Sequence, residues 1–264
     1  MIDVLRIPLP KDHLRTIPKE ERALFFLLGY AANQITLFSK LVTFSTNKTP
    51  DNPVEEKISY AQSLILARVA IGVIHETWNL IQIRFLGTRI GKEFTPEKLN
   101  PSGREALVIL KQHFRHSTLL HKLRNAVAFH HPSDADMDAG FEAAASNNIW
   151  DSDWHWYFSS ALWNSWYFAS DIVILHSMLH TMGETDPVSA HKRLMIEFKK
   201  VSEPMIRFIF ALNEAILIKH LGPTMAVETA EVVATITNAP SVYDVGLPFY
   251  VEVPETDHRN PPPI

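Results

Sequence analysis

The run Leu64-Ile-Leu-Ala-Arg-Val-Ala-Ile-Gly-Val-Ile74 sits inside a stretch from 54 to 95 that contains no proline. It is apolar on almost every side, which marks a helix buried at the centre of a domain rather than one lying on its surface. Proline removes a helix donor and disfavours helical geometry in the residue before it, so the intervals between prolines bound the possible helices. The chain of 264 residues carries 17 prolines and only 9 glycines. Sheet-rich domains spend glycine on turns, and a chain this poor in glycine is expected to be helical.

Working outward from the central run, the spacing predicts helices over about Lys19–Phe44, Val54–Leu86, Ser102–His130, Trp154–Met182 and Val188–Leu221. The first repeats Leu24, Leu28, Ala31, Ile35, Phe38 and Val42, with Pro18 at its first turn. In the third, Leu107, Leu110, Phe114, Leu120, Leu123 and Val127 recur with a period near 3.5, and Ser102 with Glu105 has the form of a capping box. The last is expected to bend at Pro204. Between 134 and 153 an acidic loop with a short helix is expected. Beyond Pro223 the β-branched and aromatic residues from Val227 to Val253 suggest a tail wrapping the bundle, with one short strand pair. The expectation is an all-α bundle of about five long helices, with residues 1–222 as the bundle and 223–264 as an irregular C-terminal tail.

There is no cysteine, which excludes a disulfide framework, thiolate metal sites and a cysteine nucleophile. The opening residues do not read as a signal peptide, because Asp3 and two prolines interrupt them. No run of about 18 residues looks apolar enough to span a bilayer, since Arg68, Asp171, Arg207 and Glu214 break the most hydrophobic ones. The expectation is a cytoplasmic protein without a membrane partner.

The net charge of −4 conceals an asymmetry. Arg104, Lys111, Arg115, Lys122 and Arg124 face only Glu105 in their segment, with His113, His116 and His121 interleaved. From Asn125 to His191 there is no Lys or Arg, and there are nine acids. The basic stretch can meet a phosphate backbone, where each neutralised phosphate releases counterions. It can equally be a solvated face or pair with the acids that follow.

Leu123-Arg-Asn-Ala-Val-Ala-Phe-His-His-Pro132 carries the chemistry of greatest interest. Arg124 followed by Asn125, with His130 after five residues and His131 after six, resembles the motif of the HEPN superfamily of all-helical nucleotide-binding proteins. Arg115-His116 with His121 satisfies the same pattern, but a helix end facing a loop gives Arg124 more room for substrate. The resemblance implies a metal-independent endoribonuclease of the toxin or antiphage kind, with no cofactor and no metal. It also implies a homodimer whose two motifs form one composite site, an RNA substrate and a neutralising antitoxin. Arg124 would stabilise the phosphate, Asn125 would orient it, and His130 would serve as acid or base. Lys111, Arg115, His121, Lys122 and His131 would hold RNA along the cleft.

The chemistry suits these residue types. Attack of a ribose 2′-OH on the adjacent phosphate needs a base for the hydroxyl proton and a cation for the developing phosphoryl charge. Histidine titrates near neutrality, and arginine is a permanent forked donor. A bland alternative is that Arg124 and His130 satisfy the last carbonyls of their helix. Two other functions stay open, a catalytically silent HEPN-like binding or structural protein and a metal-dependent enzyme on a helical bundle.

For the metal reading, His176 and His180 are four apart and would share a helix face, with Glu76, His113, His116 or Asp171 as possible partners. Semi-buried histidines are the simpler reading. Asp134, Asp136 and Asp138 mimic the start of a calcium loop, but Ala139 and Ala145 stand where that loop needs glycine and glutamate. The aromatic run from Trp150 to Phe168 reads as core, because Trp163, Trp166 and Val173 follow helical spacing, with a binding platform or dimer interface as the alternative.

Overall fold

The computed structural model describes residues 1–47, 52–94, 96–115, 119–123, 132–147, 154–159 and 162–252. The protein is mainly α, with one small two-stranded sheet. Nine α-helices occur among the described residues: α1 Lys11–Thr16, α2 Lys19–Asn47, α3 Pro53–Arg84, α4 Arg89–Glu93, α5 Pro101–His113, α6 Leu119–Leu123, α7 Asp134–Ala145, α8 Phe168–Met182 and α9 Pro187–Leu221. The strands are β1, Ile2–Arg6, and β2, Glu231–Ile236.

Three long helices match the proline map closely. α3 begins at Pro53, with the Asn52 side chain accepting from the Glu55 amide, and proline is tolerated there because its missing N–H falls where no helix bond is due. It enters the core through Ile71, Ile74 and Ile81, all fully buried. α9 runs unbroken through Pro204, and that proline is itself buried. Leu28 and Ile35 of α2, Leu110 of α5 and Phe208, Leu212 and Ile216 of α9 meet the α3 residues in one hydrophobic cluster. α5 and α9 approach so closely that a Cβ on Gly103 would collide with that of Ala211.

Several expectations need correction. The third helix is not one element from 102 to 130. α5 stops at His113, where the Phe114 amide closes the last turn onto the Leu110 carbonyl, and α6 is a separate short helix. Nor does Ser102 cap α5: Pro101 occupies its first position, and the cap is Asn100, whose Oδ1 accepts from the Gly103 amide at 2.8 Å. Residues 154–159 and 162–167 are not α-helical. Tyr157 and Trp166 pair as an antiparallel bridge, Leu162–Asn164 forms a 3-10 turn, and the helix starts only at Phe168.

The tail strand pairs antiparallel with β1, in register Ile2↔Ile236 and Arg6↔Glu231, rather than with another part of the tail. Further on, the Leu247 amide bonds the Phe44 carbonyl at 3.0 Å. The Asn164 amide then exchanges two hydrogen bonds with the Val251 backbone, and Phe249 packs edge-on against Trp166. Residues 223–252 thus run across the bundle from the end of α9 to the aromatic loop.

The expectation that no helix is apolar enough to cross a membrane is also corrected, because α2 and α3 both reach that length and composition. The most apolar window of α3 is 67% buried, as a core helix requires, while that of α2 is only 22% buried. Phe26, Tyr30 and Leu37 of α2 are more than half exposed.

The buried end of α2 is held by charge. Glu21 is fully buried and accepts from His220 Nε2 at 2.6 Å, Lys219 Nζ at 3.0 Å and Arg89 Nη2 at 3.4 Å. Burial alone pushes this carboxyl up, but hydrogen bonds from His220 and Lys219 and their charges prevail, and its pKa lies below the ordinary value of 4.5. A depressed folded pKa means the stabilisation is present above the unfolded value and is lost as pH falls through the folded one. Glu21→Gln leaves Arg89, Lys219 and His220 around a neutral amide, and it should lower the unfolding free energy at pH 7 by about 3 kcal/mol. In urea titrations the gap between variant and wild type should narrow as the pH drops below 4.5.

Candidate functional site

α5 and α6 present their apolar sides to the bundle and their charges outward, as the amphipathic spacing dictates. Leu107 and Leu110 of α5 and Leu120 and Leu123 of α6 are buried, while Lys111, Arg115 and Lys122 are exposed. Among the described residues none of these three cations enters a hydrogen bond or ion pair. Three other cations of the bundle are paired: Arg207 reaches Glu105 at 3.3 Å, Arg193 reaches Glu184 at 2.6 Å, and Lys219 reaches Glu21 at 3.0 Å.

His121 behaves differently from its basic neighbours. It is half-buried, and its Nδ1 lies 2.8 Å from Nε2 of His75, a buried residue of α3. The other ring nitrogen of His75 is 3.3 Å from the Asn79 side-chain amide. If Asn79 donates to His75 Nδ1, then His75 Nε2 carries the proton and donates to His121. Phe114 stacks on Trp78 at 4.8 Å and turns its edge toward His75 and His113.

His113 lies 3.8 Å from Glu197, with its Nε2 buried and without a hydrogen-bond partner. Burial lowers its pKa, Glu197 pulls it up, and Lys200 pulls it down. Such a ring is neutral near pH 7 and keeps one unused nitrogen. α3 and α5 thus bring His75 and His113 against one aromatic stack, and α6 adds His121 on the ring of His75. Sequence reasoning singled out His113 and His121 but missed the pairing with His75 and the role of Asn79. The available signal was a histidine and an asparagine one turn apart on the most apolar helix.

Arg124, Asn125, His130 and His131 lie outside the described residues, as does His116. α6 ends at Leu123, one residue before Arg124.

The histidine pair on α8 forms a second locus. His176 and His180 both line a cleft of about 510 Å³ between α7 and α8, with Ser146, Asn147 and Glu184. His176 is buried, its Nε2 has no hydrogen-bond partner, and burial lowers its pKa. Among the described residues no three His, Asp or Glu groups converge in a way that would hold a metal ion. Asp171 lies elsewhere, where burial raises its carboxyl and the Arg68 charge opposes the rise. The acidic segment is capped as a helix, with Ser133 and Asp136 forming a reciprocal box at the start of α7.

The aromatic run is split. Phe168 is buried against Ile172, Ala61 and Ala144, whereas Trp156, Phe158, Trp163 and Tyr167 are 59%, 67%, 83% and 54% exposed. The reading of Trp163 as core is therefore corrected. Trp156 and Tyr167 meet edge to face at 5.0 Å.

No family model, curated protein or solved structure matches the chain.

The two kinds of residue at α5 and α6 should separate by stability. His121→Ala removes a half-buried hydrogen bond to His75 and should lower stability by about 1–2 kcal/mol in urea. Lys111→Ala, Arg115→Ala and Lys122→Ala should each stay within about 0.5 kcal/mol of wild type.

Proposed function

We propose that this protein is a HEPN-like, metal-independent endoribonuclease of the toxin or antiphage kind. In this reading it acts in the cytoplasm as a homodimer, and an antitoxin restrains it. The observation that carries the reading is the exposed set of Lys111 on α5, Arg115 just after it and Lys122 on α6, unpaired among the described residues and close in sequence to Arg124 and Asn125. Cations that have no protein partner are available to phosphate oxygens. Among the described residues they do not pair with the acids that follow, so of the two structural readings of this basic stretch the solvated face is the one that fits.

In this mechanism His130 takes the 2′-OH proton or returns one to the leaving 5′-oxygen. The Arg124 guanidinium stabilises the charge on the phosphoryl oxygens, and Asn125 fixes their orientation. Lys111, Arg115, Lys122 and His131 track the RNA backbone. His121 acts on the bundle side, holding α6 to α3 through His75.

A second reading is a catalytically silent RNA-binding protein. The exposed Trp156, Phe158, Trp163 and Tyr167 favour it, since aromatic faces stack unpaired bases without any chemistry.

The deciding experiment measures RNA cleavage in EDTA by wild type, Arg124→Ala and His130→Ala. The nuclease reading expects wild-type cleavage and a loss of about 100-fold or more in each variant. Equal rates in all three would sink the mechanism, and RNA binding without cleavage would select the silent reading. Replacing Lys111, Arg115 and Lys122 together with glutamine should weaken RNA binding and make the log–log salt slope shallower by about three.

A further inference from the structure

A cavity of about 260 Å³, partly open to solvent, lies between α2 and α9. Its walls are Phe25 and Ala32 on one side and Ile209 and Leu217 on the other, and Met225 and Val227 close over it from the segment after α9. An apolar hollow holding few polar groups is the usual form of a small-molecule site.

Two features single it out from a packing defect. The first is Asn213, which lines the cavity. Its Nδ2 donates to the Phe25 carbonyl at 3.4 Å, and its Oδ1 is buried without a hydrogen-bond partner. A buried carbonyl oxygen normally finds a donor, so this one is short of a partner. The second is Gly29, in the interior of α2, on the wall facing Asn213. Its φ is not among the positive ones, which belong to Gly87, Gly183 and Gly222. A Cβ there would meet only Asn213 Nδ2, at 3.8 Å, which is ordinary contact. Neither backbone geometry nor packing asks for glycine, and glycine in a helix interior is less stable than alanine. What Gly29 does achieve is to leave the space above Asn213 empty.

Charge narrows the occupant. Glu214 also lines the cavity, with its carboxylate accepting from the Val227 amide at 3.0 Å and from Asn100 at 3.1 Å. A negative wall repels a carboxylate or phosphate, and the apolar walls disfavour any strongly hydrated group. We propose that this cavity binds a small uncharged amphiphile, an apolar alkyl or aromatic body bearing one polar group that pairs with the Asn213 side-chain amide, whose nitrogen faces the space left by Gly29. An apolar cavity of roughly 150 Å³ already takes benzene, so the larger volume here accommodates indole or a medium-chain alcohol.

The test is calorimetry on the full chain with 1-octanol, indole and octanoate as probes. Saturable 1:1 binding of octanol and indole is expected, with octanoate at least tenfold weaker. Gly29→Leu fills the space and should abolish binding while leaving the melting temperature at or above that of wild type. Asn213→Leu removes the amide and should weaken octanol at least tenfold, which decides the matter should Gly29→Leu fail to fold. The proposal is overturned by no saturable binding to wild type, by octanoate binding as tightly as octanol, or by wild-type affinity in either folded variant.

Discussion

The carboxylate of Glu21 is the constraint on which the arrangement of the long helices rests. A charge taken fully out of water is tolerated only when it is paired and hydrogen-bonded, and its three partners come from two different elements, Arg89 from α4 and Lys219 and His220 from the end of α9. Lys219 also bridges to Glu93 and lies over the Phe94 ring. The start of α2, the short α4 and the last turn of α9 are thereby locked together. With that end fixed, α9 stops at Leu221, and Gly222, with φ of 95°, turns the chain back across the seam between α2 and α9. The position of Met225 and Val227 over the cavity follows from that turn, as does the path of the chain toward β2.

A structure built in this way separates its polar business from its core. Among the polar side chains that α3 carries inward are His75, Asn79 and Thr77. The first two engage each other and His121, and the hydroxyl of Thr77 donates to the Val73 carbonyl at 2.7 Å. On the outer side of α5 and α6, Lys111 and Lys122 are unpaired among the described residues, while Glu105 is held by Arg207. The same short helix therefore has one residue, His121, that belongs to the interior, and one, Lys122, that belongs to whatever approaches from outside.

The long helices were legible because their limits are local. Proline bounds α3 and α9, an apolar stripe marks α2, and burial follows directly from those stripes. The breaks were not legible, since they are made by distant residues. Phe114 ends α5 by stacking on Trp78 of α3, and no periodicity within 102 to 130 records that contact. Trp163 and Trp166 have helical spacing, yet the Asn164 amide is captured by the Val251 backbone, and the segment forms a 3-10 turn followed by the Trp166 bridge instead of an α-helix. β1 is five residues long, and its partner lies at the other end of the sequence. Of the candidate site, the basic residues and His121 could be named from the sequence, but the inward turn of His121 depends on His75 from another helix. Gly29 was visible as a glycine within a helical stripe, and only the empty space over Asn213 gives it a meaning.

The pairing of β1 with β2 also sets an order of events. The ion pair that joins them, Arg6 to Glu231, links residues 225 positions apart. Contacts separated so far along a chain form after local ones, because the entropy of closing the loop must be met before the contact stabilises anything. During synthesis α2 and α3 can pair early, whereas the strand pair and the segment that spans the α2–α9 seam must wait until residues beyond 230 are available. The hollow between those helices is therefore roofed last, and for a time in the life of each new chain it stands open along its whole length.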